Sequence, residues 1–221
     1  MTDRPALVTG FEPYASRGSN PAADIAKALD GCVIANVPVV GRLLPVALKE
    51  IAVNAASLLD ELQPRIVINV GLWPGEATVR IERVALNLAD FEIPDNRGLV
   101  AHDESLSAVG PTAKFATLPI RKIEEAILAA GIPSRISNSA GSFLCNACFY
   151  SFLSAAEKNQ DTRCGFLHVP YLPEQVAGLL QELKKEARLE AHQRTDYASM
   201  DVTTGTRAVA IALETALREL P

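Results

Sequence analysis

The chain has 221 residues, of which 48% are hydrophobic, 21% are charged, 13 are glycine and 14 are proline. This composition is typical of a globular protein with a buried core, and it excludes a disordered or collagen-like chain. A formal net charge of −5 provides no basic surface, so neither nucleic acid nor an anionic membrane is an expected partner.

Strand and helix patterns alternate along the chain. Residues 6–9 form an apolar run before Gly10, which predicts a first strand. Asn20 and Pro21 are a typical helix cap and first helical residue, and apolar residues follow with helical spacing to Leu29. The later segments repeat these patterns, with strands predicted at 33–40, 65–70, 78–88, 135–139 and 163–169 and helices at 46–62, 122–130, 144–158, 173–192 and 206–220.

Strands separated by helices of this length favour a mainly parallel sheet covered on both faces. No linker rich in Pro, Gly or Ser divides the chain, so the sequence predicts one α/β/α domain over residues 1–221. Residues 89–111 show neither period, which makes a loop longer than compact domains usually contain without a purpose. We expect this loop to cover a functional site or a subunit contact.

The location of the protein is indicated by its cysteines and by its N-terminal residues. No stretch of 18 apolar residues occurs, which excludes a membrane-spanning helix. The first residues lack the basic-then-apolar layout of a secretory signal, and four cysteines are too few for a disulfide framework in a chain of this length. We therefore expect a cytoplasmic protein with reduced cysteines.

Cys145 is the residue that points most strongly to chemistry. It follows a small polar run, SNSAGS, at the predicted start of a helix. There, free backbone N–H groups and the helix dipole favour a thiolate, which lowers the pKa of the thiol, and the same groups could bind an oxyanion. A small buried core residue is the commoner role of a free cysteine. Position alone leaves both interpretations open.

A cysteine nucleophile needs a base, and His168 is the best candidate among three histidines. It lies near the carboxyl end of a predicted strand, the edge at which open parallel sheets bind ligands and at which Cys145 should emerge. A hydrogen-bonded core histidine is the alternative. Glu82, on a largely apolar strand, could orient the imidazole. Pairing with Arg80 or Arg83 is the simpler explanation of that carboxylate.

The same region has the ligand spacing of a zinc site, Cys145-x-x-Cys148 followed by Cys164-x-x-x-His168. Structural zinc ligands usually lie on tight turns, whereas Cys148 is predicted inside an apolar helix and Cys164 on a strand. A redox pair of Cys145 and Cys148 lacks the residues that surround thioredoxin-like motifs. Neither alternative is favoured.

Four separated motifs resemble those of the pyroglutamyl peptidase I family, also called pyrrolidone-carboxylate peptidases. In chain order they are VTGFEPYASRGSNPA, IERVALN followed by IPDN, SNSAGSFLCN and GFLHVPYLPEQ. The resemblance implies a phosphorylase/hydrolase-like α/β/α sandwich with a mainly parallel, mixed sheet. It also implies a cysteine peptidase that removes N-terminal pyroglutamyl (5-oxoproline) residues from peptides, with Cys145, His168 and Glu82 as the triad. No metal or cofactor is implied, and a homo-oligomer, commonly a tetramer, is expected.

The resemblance also assigns the substrate pocket. Phe11 and Tyr14 are expected to flank the pyrrolidone ring, and Asn20 to bond its lactam. Phe143 and Leu144 correspond to the remaining apolar wall, which suits a small, flat, neutral ring.

The sequence departs from the family pattern around the expected site. Residues 72–74 are Leu-Trp-Pro in place of Gln-Ala-Gly, Tyr14 replaces a phenylalanine, Arg80 replaces a small hydroxyl residue, and Glu92 replaces an arginine. We hypothesise that Arg80 takes over the role of the missing arginine by pairing with Glu82 and limiting repulsion from Glu92. Altered specificity, a binding protein without activity and a nucleoside-phosphorylase-like enzyme are the alternatives, although no phosphate-binding glycine loop is evident.

Overall fold

The computed structural model describes residues 4–15, 18–158, 161–186 and 197–220. No helix within these ranges is long and apolar enough to cross a membrane. The elements are β1 (Ala6–Phe11), α1 (Pro21–Leu29), β2 (Val33–Ile34), β3 (Val37–Leu44), α2 (Leu48–Leu62), β4 (Ile66–Leu72), β5 (Val79–Glu82), β6 (Val84–Leu86), β7 (Ala113–Phe115), α3 (Ile120–Ala129), β8 (Ser134–Ser137), α4 (Leu144–Ala156), β9 (Arg163–Val169), α5 (Pro173–Glu186) and α6 (Val202–Arg218).

A seven-stranded mixed sheet forms the centre of the fold, in the order β2-β3-β1-β4-β9-β5-β8. The pairs β1–β3, β1–β4, β4–β9 and β5–β8 are parallel. The pairs β2–β3 and β5–β9 are antiparallel. The prediction of a mainly parallel, mixed sheet is therefore confirmed.

Helices cover both faces of this sheet. On one face, α1, α3 and α6 pack together over a core that contains Ile81 and Leu167. On the other face, α2 and α4 pack together over a core that contains Phe149 and Phe166. Successive strand residues thus point into different cores, as the period of two requires. The three layers confirm the predicted α/β/α sandwich.

The single strand predicted at 33–40 is wrong, because the structure has a β-hairpin there. Ala35 and Asn36 have φ angles of 49° and 62° and turn the chain between β2 and β3. Two consecutive left-handed residues make the tight turn whose twist matches a hairpin. Alanine is uncommon in that conformation, so the turn was not evident from the residue types.

The single strand predicted at 78–88 is also wrong, because the chain changes sheets within it. β5 belongs to the central sheet, whereas β6 pairs with β7 in a separate two-stranded sheet. The change occurs at Arg83, whose N–H donates to Ser137 O while its carbonyl accepts from Ala116 N. A strand in either sheet shows the same alternation of apolar and polar residues, so the period of two does not reveal that the chain passes from one sheet to the other.

The predicted loop at 89–111 contains no helix or named strand, and Asp95 organises part of it. The Asp95 carboxylate accepts hydrogen bonds from the N–H groups of Arg97 and Leu99, and from Leu48 at the start of α2. The helix predicted at 173–192 corresponds to α5 up to Glu186, and its remainder lies outside the described residues.

Candidate active site

The strand ends of the central sheet meet the start of α4 around a cavity of about 440 Å³. Phe11 ends β1, Leu72 ends β4 and His168 is the next-to-last residue of β9. All three line the cavity together with Cys145. The carboxyl edge of parallel strands therefore forms the site, as expected for an open α/β sheet.

Cys145 is the second residue of α4 and lies against a glycine of the sheet. A Cβ atom added to Gly71 would lie 2.7 Å from Cys145 Sγ and 2.9 Å from Phe166 Cζ. Gly71 is the register partner of His168 on the adjacent strand. The missing side chain of Gly71 therefore makes room for the thiol next to His168.

His168 and Glu82 form a buried hydrogen-bonded pair, with Nδ1 2.8 Å from Glu82 Oε1. Their side chains are 1% and 0% exposed. Within the described residues, His168 Nε2 has no hydrogen-bond partner. The carboxylate accepts from the protonated Nδ1, which leaves the lone pair on Nε2. This is the tautomer that a general base on the thiol side requires.

Arg80 also binds Glu82, so this carboxylate serves both of the roles considered from sequence. Arg80 Nε lies 3.0 Å from Glu82 Oε1, and Arg80 Nη2 donates to Ser137 Oγ. The guanidinium carbon lies 3.6 Å from the centre of the Trp73 ring. The expected pairing with Glu82 is present. The other half of that hypothesis gains no support, because Glu92 is exposed and forms no ion pair with Arg80 among the described residues.

Burial acts on the pKa of both reacting groups. Burial, reinforced by the negative charge of Glu82, raises the pKa of the Cys145 thiol to about 12. Burial lowers the pKa of His168 below its ordinary 6.5, even though the bond to Glu82 acts in the opposite direction, and the charge of Arg80 lowers it further. Both shifts oppose the resting thiolate expected at the helix start, and they favour transfer of the Cys145 proton to His168 as the thiol attacks.

The five residues assigned to the pocket all line the cavity. Tyr14 and Phe143 lie with ring centroids 5.9 Å apart, while Phe11 and Leu144 contribute further apolar surface. Asn20 has a structural role as well, because its Oδ1 accepts from Ala22 N and caps α1, and its Nδ2 donates to Glu12 O. A second Nδ2 hydrogen remains for a ligand.

Several further residues line the cavity that the motifs did not assign to it. Trp73 packs edge-on against His168, with ring centroids 5.0 Å apart. Asp90, Glu92 and Ile93 come from the long irregular loop, so part of this loop borders the candidate site. The length of the loop was the only signal for Asp90. Glu82 itself does not line the cavity, since it lies behind His168.

The zinc alternative gains no support from the structure. In the described ranges, no group of three or more His, Cys, Asp or Glu side chains is placed to hold a metal ion. All four cysteines are free thiols, which also leaves the redox pair unsupported. Cys148 and Cys164 are buried in the core between α4 and the sheet.

A thiol at a helix start, beside an imidazole that a buried carboxylate orients, defines a cysteine hydrolase on an α/β/α sandwich. A family model described as pyroglutamyl peptidase matches residues 4–219. The chain belongs to the pyroglutamyl peptidase family.

Individual relatives agree with this assignment. The chain is 42% identical over 215 residues to a pyrrolidone-carboxylate peptidase of Pyrococcus furiosus, covering 97% of this chain and 98% of that protein. It is 44% identical to one from Pseudomonas fluorescens, covering 79% and 82%. The solved structure of a pyrrolidone carboxyl peptidase from Thermococcus litoralis superposes with a TM-score of 0.89 at 36% identity, covering 98% of this chain and 94% of that one. This membership favours a peptidase over the nucleoside-phosphorylase-like alternative.

Proposed function

We propose that this protein is a cysteine exopeptidase that removes N-terminal pyroglutamyl residues from peptides, with Cys145 as nucleophile, His168 as base and Glu82 as the residue that orients the base. The observation that carries the proposal is the 2.8 Å bond between Glu82 Oε1 and His168 Nδ1. It keeps Nε2 unprotonated beside a cavity that Cys145 also lines. Family membership supplies the substrate class.

In the first half-reaction, His168 Nε2 takes the proton of Cys145 as Sγ attacks the carbonyl carbon of the pyroglutamyl residue. We expect backbone N–H groups at the start of α4 to bind the oxyanion that forms. The imidazolium then gives its proton to the leaving amine as the C–N bond breaks. The product of this step is a thioester on Cys145 and a shortened peptide.

In the second half-reaction, water attacks the thioester while His168 removes its proton. Collapse of the tetrahedral intermediate returns the proton to Cys145 and releases pyroglutamate. Throughout both steps, Glu82 stabilises the imidazolium that forms transiently, because its carboxylate stays hydrogen-bonded to Nδ1.

The pocket supports a neutral ring as the group that binds first. Phe11, Tyr14, Phe143 and Leu144 surround the inner cavity with apolar surface, which suits the flat pyrrolidone ring. Asn20 Nδ2 donates one hydrogen to Glu12 O, and we expect its second hydrogen to bond the lactam carbonyl. A free N-terminal residue would bring a charged ammonium into this apolar environment, which opposes its binding.

We also propose that residues 1–221 form a single catalytic domain and that the protein is cytoplasmic. We expect it to assemble as a homo-oligomer, and the family resemblance suggests a tetramer. Four free cysteines are consistent with a reducing compartment.

Release of aminomethylcoumarin from its pyroglutamyl derivative tests the activity. We expect turnover of this substrate and none of the prolyl or glutamyl derivatives, which share its size but carry an ammonium group. Cys145→Ser should abolish turnover without changing the thermal unfolding temperature by more than a few degrees. Equal turnover of the prolyl derivative, or full activity of Cys145→Ser, would contradict the proposal.

A further inference from the structure

Two carboxylates stand at the mouth of the cavity. Asp90 and Glu92 both line it, and both residues are exposed. No lysine or arginine is among the described residues that line this cavity. The inner wall is apolar, so the acidic side chains mark the side on which the cavity opens to solvent.

The segment that carries these carboxylates is fixed to the turn that carries the nucleophile. Asp90 N donates to Ser142 O at 3.1 Å, and Ser142 Oγ donates to Asp90 O at 2.7 Å. Between the two acids, Phe91 is only 2% exposed and packs edge-to-face on Phe143, with ring centroids 4.7 Å apart. Contacts with Ser142 and Phe143 therefore hold the segment that carries both carboxylates against the turn that precedes Cys145.

Within the described ranges, few cations are paired with these two carboxylates. The only ion pair that Asp90 forms in the described chain is with His102, whose Nδ1 lies 3.8 Å from Asp90 Oδ1 and which is charged only when protonated. Glu92 forms no ion pair within the same residues. Among the residues that the structure describes, the mouth of the cavity therefore carries two carboxylates whose negative field no paired lysine or arginine cancels.

A pyroglutamyl residue cannot respond to this field, because its amino group is closed into a neutral lactam. The first charge that the carboxylates can meet belongs to the residue that follows the ring, since that part of the peptide must leave through the mouth. We infer that Asp90 and Glu92 make the enzyme select peptides in which the residue after pyroglutamate is cationic, and disfavour those in which it is acidic. This inference rests on the proposed function.

The expected size of the effect follows from the exposure of both acids. An exposed ion pair at low salt changes affinity by a factor of about two to five, so two such acids should favour a lysine by about fourfold to twenty-five-fold in kcat/KM. Raising the ionic strength to 1 M shortens the screening length to about 3 Å and should remove most of this preference.

Separate assays of matched peptides test the inference. We would compare pyroglutamyl-Lys-Ala-amide with its acetyl-lysine analogue, and pyroglutamyl-Glu-Ala-amide with its glutamine analogue, by quantifying released pyroglutamate. The lysine peptide should exceed its uncharged analogue and the glutamate peptide should fall below its own. In the double variant Asp90→Asn/Glu92→Gln, both ratios should approach one. Glu125→Gln, which removes an exposed charge from α3 on the opposite face of the sheet, should leave both ratios unchanged.

The outcomes separate this inference from the function on which it rests. If all four peptides are cleaved equally well by the unmodified enzyme at low salt, the charge preference is wrong and the peptidase assignment stands. If the preference persists unchanged in Asp90→Asn/Glu92→Gln, other residues cause it and the inference is also wrong. If none of the four peptides releases pyroglutamate, the proposed function fails and the preference with it.

Discussion

Arg80 and Glu82 form an ion pair inside the protein, with Arg80 Nε 3.0 Å from Glu82 Oε1. The oxygen that accepts this bond is the one that binds His168 Nδ1. Arg80 does not line the cavity, yet its charge lowers the pKa of His168. Arg80 is therefore a positioning residue that acts on the base through its partner.

Removing this charge should move the pH dependence of the reaction. In the unmodified enzyme, kcat/KM should fall as the pH drops through the lowered pKa of His168, below 6.5, because the base is then protonated. Arg80→Ala should shift this acid limb to higher pH, since the repulsion that disfavours imidazolium is gone. Arg80→Lys keeps the positive charge, so its acid limb should lie between those of Arg80→Ala and the unmodified enzyme.

A control arginine is available next to this one. Glu76 forms ion pairs with both Arg80 and Arg135, and Arg135 is the more exposed of the two arginines. Because Arg135 is not among the charges that shift the pKa of His168, Arg135→Ala should leave the acid limb unchanged. Breaking a buried ion pair costs about 3–5 kcal/mol of unfolding free energy, so Arg80→Ala must be measured at a temperature at which it remains folded. An unshifted acid limb in folded Arg80→Ala would refute the positioning role. Because Glu92 is exposed and unpaired with Arg80, Glu92→Arg is not expected to rescue this variant.

Alkylation should distinguish the nucleophile from the other thiols. Cys32 is exposed and should react with iodoacetamide without loss of activity, whereas Cys148 and Cys164 are buried. In a Cys32→Ser background, inactivation should track the labelling of Cys145, as followed by mass spectrometry. Because burial raises the pKa of Cys145 to about 12, the inactivation rate should still be rising between pH 7 and 9. A rate that is already constant above pH 7 would indicate a resting thiolate instead.

Gly71→Ala should reduce activity. The added methyl would lie 2.7 Å from Cys145 Sγ and 2.9 Å from Phe166 Cζ, so the thiol or the aromatic ring must shift. We expect at least a tenfold loss in kcat, because displacement of a reacting atom by about 1 Å can cost about a hundredfold. Gly178→Ala is the matched control, since nothing lies within 4 Å of its added methyl in α5. That change should keep activity and raise the unfolding free energy by about 0.5–1 kcal/mol. Equal kcat in the two variants would exclude the predicted clash.

Asp95→Asn should destabilise the loop that borders the site. Burial by itself would raise the pKa of Asp95, but hydrogen bonds from the N–H groups of Leu48, Leu99 and Arg97 lower it overall. The carboxylate therefore contributes stability that is present above pH 3.8 and lost as the pH falls through its lowered pKa. Chemical denaturation at pH 7 should show a loss of about 1–3 kcal/mol. The gap between the two proteins should close below pH 3.8. A gap that stays constant down to pH 2 would contradict this role for the charge.

The sequence predicted those parts of the molecule that depend on local pattern. Apolar runs and helix caps located β1, α1 and β9, and the place of Cys145 and His168 at strand and helix ends predicted a shared edge. The alternation of residue types does not show which strand is the neighbour. The sequence analysis therefore missed the change of sheet at Arg83, the residue that directly follows Glu82.

The electrostatics of the site were the least predictable part. The helix dipole is visible in the sequence, but the burial that raises the pKa of Cys145 depends on tertiary packing around the sulfur. Trp73 is similar, because only the folded chain shows its ring between Arg80 and His168. Contacts between residues far apart in the chain decide such properties, so composition and spacing cannot supply them.

The antiparallel pairing of β5 with β9 places Arg80 opposite His168 and Glu82 opposite Phe166. Glu82 therefore reaches the imidazole as a diagonal cross-strand neighbour on the same face of the sheet. A slip of one residue would turn the carboxylate to the other face, and a slip of two would move it away from the ring. Because no flexible loop carries this contact, the enzyme cannot lose the alignment of its base while these two strands keep their register. Catalytic activity is thus a chemical measure of correct strand pairing at the centre of the sheet.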